Sequence, residues 1–152
     1  MLVSVEVWLE AKRVMVVLIV EDEAIIAYCA AAMLEDAGYT VVGPAHTADE
    51  AIKLIRSRRP DVALIDIDLE VPGAGIGLAR QLRSQGTAVI FTTGRADLAR
   101  AHADSAVGVL TKPYDPAELA SVVEYADSVR RASASRAKPP PATSFVGLAS
   151  NV

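Results

Sequence analysis

Glu21-Asp22, Asp66, Thr93 and Lys112 are the residues of this chain that could do chemistry together, and each stands where an apolar run stops. Val16-Val17-Leu18-Ile19-Val20 ends abruptly in Glu21-Asp22-Glu23. Carboxylates that close repel one another and are seldom buried unless paired, so the cluster is either a solvated turn or the holder of a cation. If Asp66 joins Glu21 and Asp22, three carboxylates make a hard-oxygen site of the kind Mg2+ takes, keeping several waters of its own. A hydroxyl (Thr93) and an ammonium (Lys112) beside it would bind the oxygens of a phosphoryl group and offset its charge. Asp66 is then placed to attack phosphorus, and the product is an aspartyl-phosphate. Singly, each residue has a plainer reading. Acids favour the first turn of a helix, and Glu23 is read as only that. Thr93 alone would be a turn or cap hydroxyl, and Lys112 alone a surface lysine. Their joint placement carries the reading.

The placement follows from the elements. Residues 14–20 are a β-rich apolar run, as expected of a strand buried on both faces. Residues 24–37 have apolar positions at helical spacing (Ile25, Ile26, Cys29, Met33, Leu34), and Gly38 follows as a stop. Residues 40–42 read as a short strand ended by Gly43-Pro44. Thr47 with Glu50 three positions on is a capping-box pattern for a second helix, which runs to about Arg58 before Pro60. Strands follow at 62–65, 88–91 and 107–110, and helices at 77–84 and 96–103. Asp115-Pro116 caps a last helix to about Arg130, with proline at its first position. Strands alternating with helices imply an α/β chain: a doubly wound, five-stranded parallel sheet, (βα)5, with helices on both faces. Such sheets bind ligands beyond the carboxyl ends of their strands, at the switch point in strand order. Glu21-Asp22, Asp66, Thr93 and Lys112 all fall at those ends.

Composition narrows the rest. A chain of 152 residues, 52% hydrophobic, has the length of one domain with a tail. Residues 14–131 are expected to be that domain, 1–13 an extension (with Met15 an alternative start), and 132–152 a flexible tail rich in Ala, Ser and Pro. A small apolar patch, Phe145-Val146 with Leu148, interrupts the tail. The net charge of −4 does not favour nucleic acid, which needs a clustered basic face. Arg56, Arg58 and Arg59 offset the dipole at the end of the second helix. Cys29, the single cysteine, is expected to be a small core residue, and His46 and His102 lack neighbours at zinc-ligand spacing. Pro72-Gly73-Ala74-Gly75-Ile76-Gly77 lacks the spacing of a phosphate-cradling loop and reads as a turn into the third helix. No apolar run spans a membrane or resembles a signal peptide, so a cytoplasmic location is expected.

Over residues 14–131 the chain resembles the receiver domain of two-component response regulators, which is flavodoxin-like. The matching stretches are VVLIVEDEA, PDVALIDIDL, VIFTTG and VLTKPYDPAEL, in order, each at a strand end. By that resemblance Glu21 and Asp22 are the acidic pair, Asp66 is the phospho-acceptor, and Asp68 gives Mg2+ its backbone carbonyl. Thr93 is the switch hydroxyl, Lys112 contacts the phosphoryl group, and the bond to Pro113 is cis. Asp68 and Arg95 occupy positions that tune dephosphorylation; an acid and a base there could pair across the pocket and slow water entry. Phe91-Thr92-Thr93-Gly94 further resembles, in part, the Phe-Ala-Thr-Gly signature of single-domain regulators of alphaproteobacteria. Two departures stand out. Val109 occupies the place of an aromatic switch residue, and the segment from Thr93 to Lys112 is short, so the fourth helix is expected to be stunted.

The resemblance implies a stand-alone receiver, phosphorylated on Asp66 with Mg2+ by a histidine kinase or phosphotransfer protein. It would act by protein contact or phosphoryl relay, with no enzymatic activity beyond its own phosphorylation and dephosphorylation, and no nucleic-acid or membrane partner. The alternatives are a phosphorylation-independent adaptor of the same fold, and a nucleotide binder or small hydrolase. The last lacks a phosphate loop and a general base.

Overall fold

Each apolar run of the chain is a strand that must bury both of its faces, and the architecture follows from that need. A computed structural model describes residues 14–132 and the backbone of residues 145–147. The elements are β1 (Val16–Val20), α1 (Ala24–Asp36), β2 (Thr40–Ala45), α2 (Ala48–Ser57), β3 (Val62–Asp66) and α3 (Ala74–Ser84). They continue with β4 (Ala88–Thr93), α4 (Ala96–Ala101), β5 (Gly108–Thr111), α5 (Pro116–Arg131) and β6 (Phe145–Gly147). The strands lie in the order β2-β1-β3-β4-β5-β6. The first five are parallel, as expected, and β6 joins the β5 edge antiparallel.

Side chains of a strand alternate between faces, and the core divides accordingly. Val17, Ile19, Val62, Leu64, Ala88, Ile90 and Leu110 pack against Ala30, Ala31 and Leu34 of α1 and Leu119, Val122, Val123 and Ala126 of α5. Leu18, Val20, Ala63, Ile65, Val89, Phe91 and Val109 turn to the other face. There they meet Ala51 of α2, Ile76, Leu78, Ala79 and Leu82 of α3, and Ala99 of α4. The two clusters put helices on both sides of the sheet. β1 lies between β2 and β3, so the chain leaves it in opposite directions and opens a crevice at its carboxyl end.

The five parallel strands stand as expected, and a sixth, Phe145–Gly147, is added antiparallel on the edge of β5. The rest of the tail, and residues 1–13, lie outside the described residues. Several expectations are corrected. β2 does not stop at Val42 but continues through Gly43-Pro44 to Ala45. It is the other edge strand, where a proline removes no interior ladder bond, and the pairing with β1 shifts register between Leu18 and Val20. α3 starts at Ala74, not Gly77, because Gly75 lets its first turn lie on the backbone of β3: a Cβ there would sit 2.2 Å from the Asp66 carbonyl oxygen. Cys29 is exposed and not a core residue. The buried face of α1 is made of Ala27, Ala30, Ala31 and Leu34, which leaves Ile25 81% exposed. α4 has six residues and is indeed short.

Candidate functional site

The crevice between the ends of β1 and β3 collects the residues singled out above. Glu21 and Asp66 are buried and Asp22 is exposed, and one carboxylate oxygen from each lies within 4.8 Å of the others. Lys112, just beyond β5, binds two of the three: its Nζ donates to Glu21 Oε2 at 2.5 Å and to Asp66 Oδ2 at 3.1 Å. Its backbone N–H donates to the Thr93 carbonyl at 2.9 Å, which ties the ends of β4 and β5 together. Lys112 thus closes the pocket across 91 residues of sequence from Glu21.

The loops are built to hold these groups. Glu21 N–H donates to Ala45 O at 2.9 Å, and Glu23 N–H donates back to Glu21 Oε1 at 3.2 Å. A ring nitrogen of His46 lies 3.0 Å from the Glu21 carbonyl, and the ring stacks edge-on against Tyr28. His46 also donates its backbone N–H to Glu50 Oε2 at 2.7 Å, while Thr47 Oγ1 accepts from Glu50 N–H. The reciprocal half of the expected capping box therefore lands one residue earlier than anticipated. After β3, Asp66 Oδ1 accepts from Asp68 N–H at 3.0 Å, and Asp68 Oδ1 accepts from Gly73 N–H at 3.3 Å. Glu70, in the left-handed region at φ 54°, donates its N–H to Asp22 Oδ2 at 3.4 Å. Asp68 and Arg95 face each other across the mouth of the pocket, 4.0 Å apart. Thr93 is buried at the end of β4, and its Oγ1 accepts from Arg95 N–H at 2.9 Å, which leaves the hydroxyl proton to be donated. The Lys112–Pro113 peptide is cis.

Electrostatics follow burial. Desolvation, with Asp66 adding to it, raises the Glu21 carboxyl to about 7 against the pull of Lys112. The two carboxylates raise the Lys112 ammonium above its ordinary range despite its burial. A pocket with more negative than positive groups, half closed to water, calls for a further cation. The donor set fits Mg2+: hard oxygens only, two or three carboxylates, and an open side toward solvent through Asp22.

Sequence reasoning had no signal for the Glu21–Lys112 bond, for His46 and Glu70 as loop anchors, or for the surface beside the pocket. There Ile25, Cys29 and Met33 of α1 and Pro113-Tyr114 line an open, mainly apolar groove of about 370 Å³ that ends on Lys112. Burial also raises the Tyr114 phenol.

Comparison with known proteins agrees with this geometry. The profile of the response regulator receiver domain matches residues 17–124. The chain is 34% identical over 116 residues to the transcriptional regulatory protein PdtaR of Mycobacterium tuberculosis, covering 74% of this chain and 56% of that protein. It is 36% identical over 142 residues to the positive alginate biosynthesis regulatory protein of Pseudomonas aeruginosa, covering 90% and 56%. The chain thus spans about half the length of the curated relatives it matches. Among solved structures, the receiver domain of NtrX from Brucella abortus superposes with a TM-score of 0.68 at 27% identity, over 74% of this chain and 98% of that one. None of the described helices is long and apolar enough to cross a membrane.

Proposed function

The chain belongs to the response regulator receiver domain family, and from that premise we propose that Asp66 accepts a phosphoryl group from a histidine kinase or phosphotransfer protein. The observation that carries the reading is the meeting of Glu21, Asp22 and Asp66 with Lys112 at the switch point of the sheet. In the proposed step an Asp66 carboxylate oxygen forms the new P–O bond. The P–N bond to the donor imidazole breaks, and that nitrogen leaves with the electron pair and takes up a proton. Lys112 Nζ, already on Asp66 Oδ2, and the Thr93 hydroxyl bind the phosphoryl oxygens as charge builds on them. Glu21, Asp22 and Asp66 would hold Mg2+, with the Asp68 carbonyl as a further ligand. The bound ion supplies charge neutralisation that Lys112 alone does not. The apolar groove on α1 gives a helical donor a surface beside the acceptor.

Phosphorylation would shift an equilibrium between two surface conformations, read by a partner that binds them unequally, or the phosphoryl group would pass onward in a relay. The chain's own chemistry would be limited to gaining and losing that group.

Intact mass after incubation with acetyl phosphate and Mg2+ tests the proposal, with Asp66→Asn alongside. A Mg2+-dependent gain of one phosphoryl group, absent in the variant, is the expected result. If neither acetyl phosphate nor a panel of phosphorylated histidine donors adds mass, the phosphorylation reading fails and the chain is an adaptor with a receiver fold.

A further inference from the structure

β5 is the last of the parallel strands, and its outer side is where β6 runs, in the register Gly108↔Gly147, Val109↔Val146 and Leu110↔Phe145. Val107 N–H donates to Val89 O on β4 at 2.8 Å. Backbone groups alternate in direction along a strand, so Val109 also faces β4, while Gly108 and Leu110 turn their N–H and C=O groups to the outer side. Residues 107–111 hold neither a charge nor a proline, the usual guards of a sheet edge. Left uncovered, this edge is a template for another strand. Twelve residues, 133–144, separate the end of the described α5 region from β6. At roughly 3.1 Å per residue they reach about 37 Å, more than the roughly 24 Å length of a 16-residue helix, so the tail is long enough to return to its own β5.

We propose that the β5 edge is a strand-docking site which residues 145–147 occupy within the same chain, and that a second copy of the chain takes the edge when the tail is withdrawn. Gly108 and Leu110 lie symmetrically about Val109 and both face outward. Two β5 strands can therefore pair antiparallel about a two-fold axis at Val109, with Gly108 opposite Leu110 in both directions. This is the strand polarity that β6 already uses. The tail then acts as a built-in competitor of self-association, and any event that pulls it away releases the edge.

The test uses the whole 152-residue chain beside a Phe145→Pro, Gly147→Pro variant, which removes the two β6 N–H groups that pair with β5. Hydrogen exchange by NMR follows the Gly108 and Leu110 amides, and sedimentation equilibrium follows mass against concentration. Among the described residues the two core clusters are built from β1 to β5, the helices and their connections, and protection at β1 and β3 reports that the variant is folded. The wild type is expected to be monomeric with both amides protected. The variant is expected to exchange them at least about tenfold faster at low concentration, and to form dimers in which protection returns as concentration rises. Unchanged protection in the variant overturns the cis contact. A variant that is unprotected yet monomeric at every concentration overturns the second copy as occupant. A wild type whose protection rises with concentration overturns the intramolecular assignment.

Discussion

Asp22→Asn removes one carboxylate from a group of three while leaving the ion pairs of Lys112 with Glu21 and Asp66 in place. The Asn side-chain oxygen can still accept the Glu70 N–H that Asp22 accepts. What changes is repulsion. A unit charge within 4.8 Å of another costs at least about 0.9 kcal/mol at the dielectric of water and at least about 3.5 kcal/mol at an effective dielectric of 20. Asp22 is exposed, so the lower figure applies. Two such neighbours, partly offset by Lys112, give a gain of about 1–2 kcal/mol for the metal-free protein, or about 2–8 °C in Tm. The gain depends on pH through Glu21. Because its carboxyl is raised to about 7, its charge is present at pH 8 and largely absent at pH 6, where the benefit shrinks to the Asp66 share. Mg2+ is expected to reverse the order. An ion that binds only the folded state stabilises it by about 2.7 kcal/mol at a hundredfold excess over its Kd, and the variant has lost a ligand. Urea unfolding in EDTA and in Mg2+, at pH 6 and 8, reads all of this. A variant less stable than wild type in EDTA at pH 8, or one that gains as much from Mg2+, would refute the reasoning.

Gly75→Ala drives a Cβ to 2.2 Å from the Asp66 carbonyl oxygen, a backbone atom that cannot move aside; a loss of about 3 kcal/mol in urea denaturation is expected, with slower phosphorylation of the displaced Asp66. Gly77→Ala, in the same helix, meets nothing within 4 Å and is expected to gain about 0.5–1 kcal/mol from helix propensity. At the far end of the sheet, Asp61 accepts the Val16 N–H at 2.9 Å and pairs with Arg130 at 3.2 Å; Asp61→Ala should cost about 2–4 kcal/mol in the same assay and leave phosphorylation rates unchanged. For Glu21 the folded pKa lies above the unfolded one, so its contribution to metal-free stability is full below the ordinary 4.5 and is lost as pH rises through about 7; a decline of about 3 kcal/mol over that window is expected in EDTA, and a flat profile would contradict it. The Asp68–Arg95 pair, 4.0 Å apart with Arg95 exposed and Asp68 half-buried, is weak, so Asp68→Asn is expected to shorten the phosphate half-life by at most about fivefold, and an unchanged half-life would remove the pair from the account of water entry.

The parts of the fold legible in the sequence were those where one signal dominates. β1, β3 and β4 are uninterrupted apolar runs because helices cover both faces, and their ends are marked by the first polar residue that solvent or a ligand can satisfy. Glu21, Asp22 and Asp66 were found by that rule. Thr93 and Lys112 each stand one residue past the first polar group, Thr92 and Thr111, and were singled out by their joint placement with the carboxylates. α1 shows where the rule fails. Ile25, Tyr28 and Cys29 are as apolar as the face that packs, so periodicity could not tell which stripe is inside; close approach to the sheet selects Ala27, Ala30 and Ala31 instead. The start of α3 was hidden because Gly73 and Gly75 read as a turn, although Gly75 is there to let a helix lie on β3. β6 is three residues within a Pro- and Ala-rich tail, too short for any period, and it exists only against a partner edge. The Lys112 bridge has no local signature, since its partners come from strands far apart in the chain.

Val109 decides how a signal could leave the pocket. It is fully buried on β5, paired in register with Phe91 and packed in the same cluster as Ala99 and Ala106. The aromatic ring of this region belongs to Phe91, which is itself buried on a central strand. Val109 has no ring to swing between an inward and an outward position, so a change at Asp66 cannot be reported by a rotamer there. What remains is backbone. The Thr93 carbonyl holds the Lys112 N–H, and the Thr93 hydroxyl holds the Arg95 N–H immediately before α4. A phosphoryl group that drew the Thr93 hydroxyl toward itself would pull on Arg95 and hence on the first turn of α4. That helix has six residues and contributes only Ala99 as a buried side chain, so little packing opposes its movement. The shortness of α4, which looks like a defect beside Val109, would let a phosphorylated chain transmit through the helix instead of a ring.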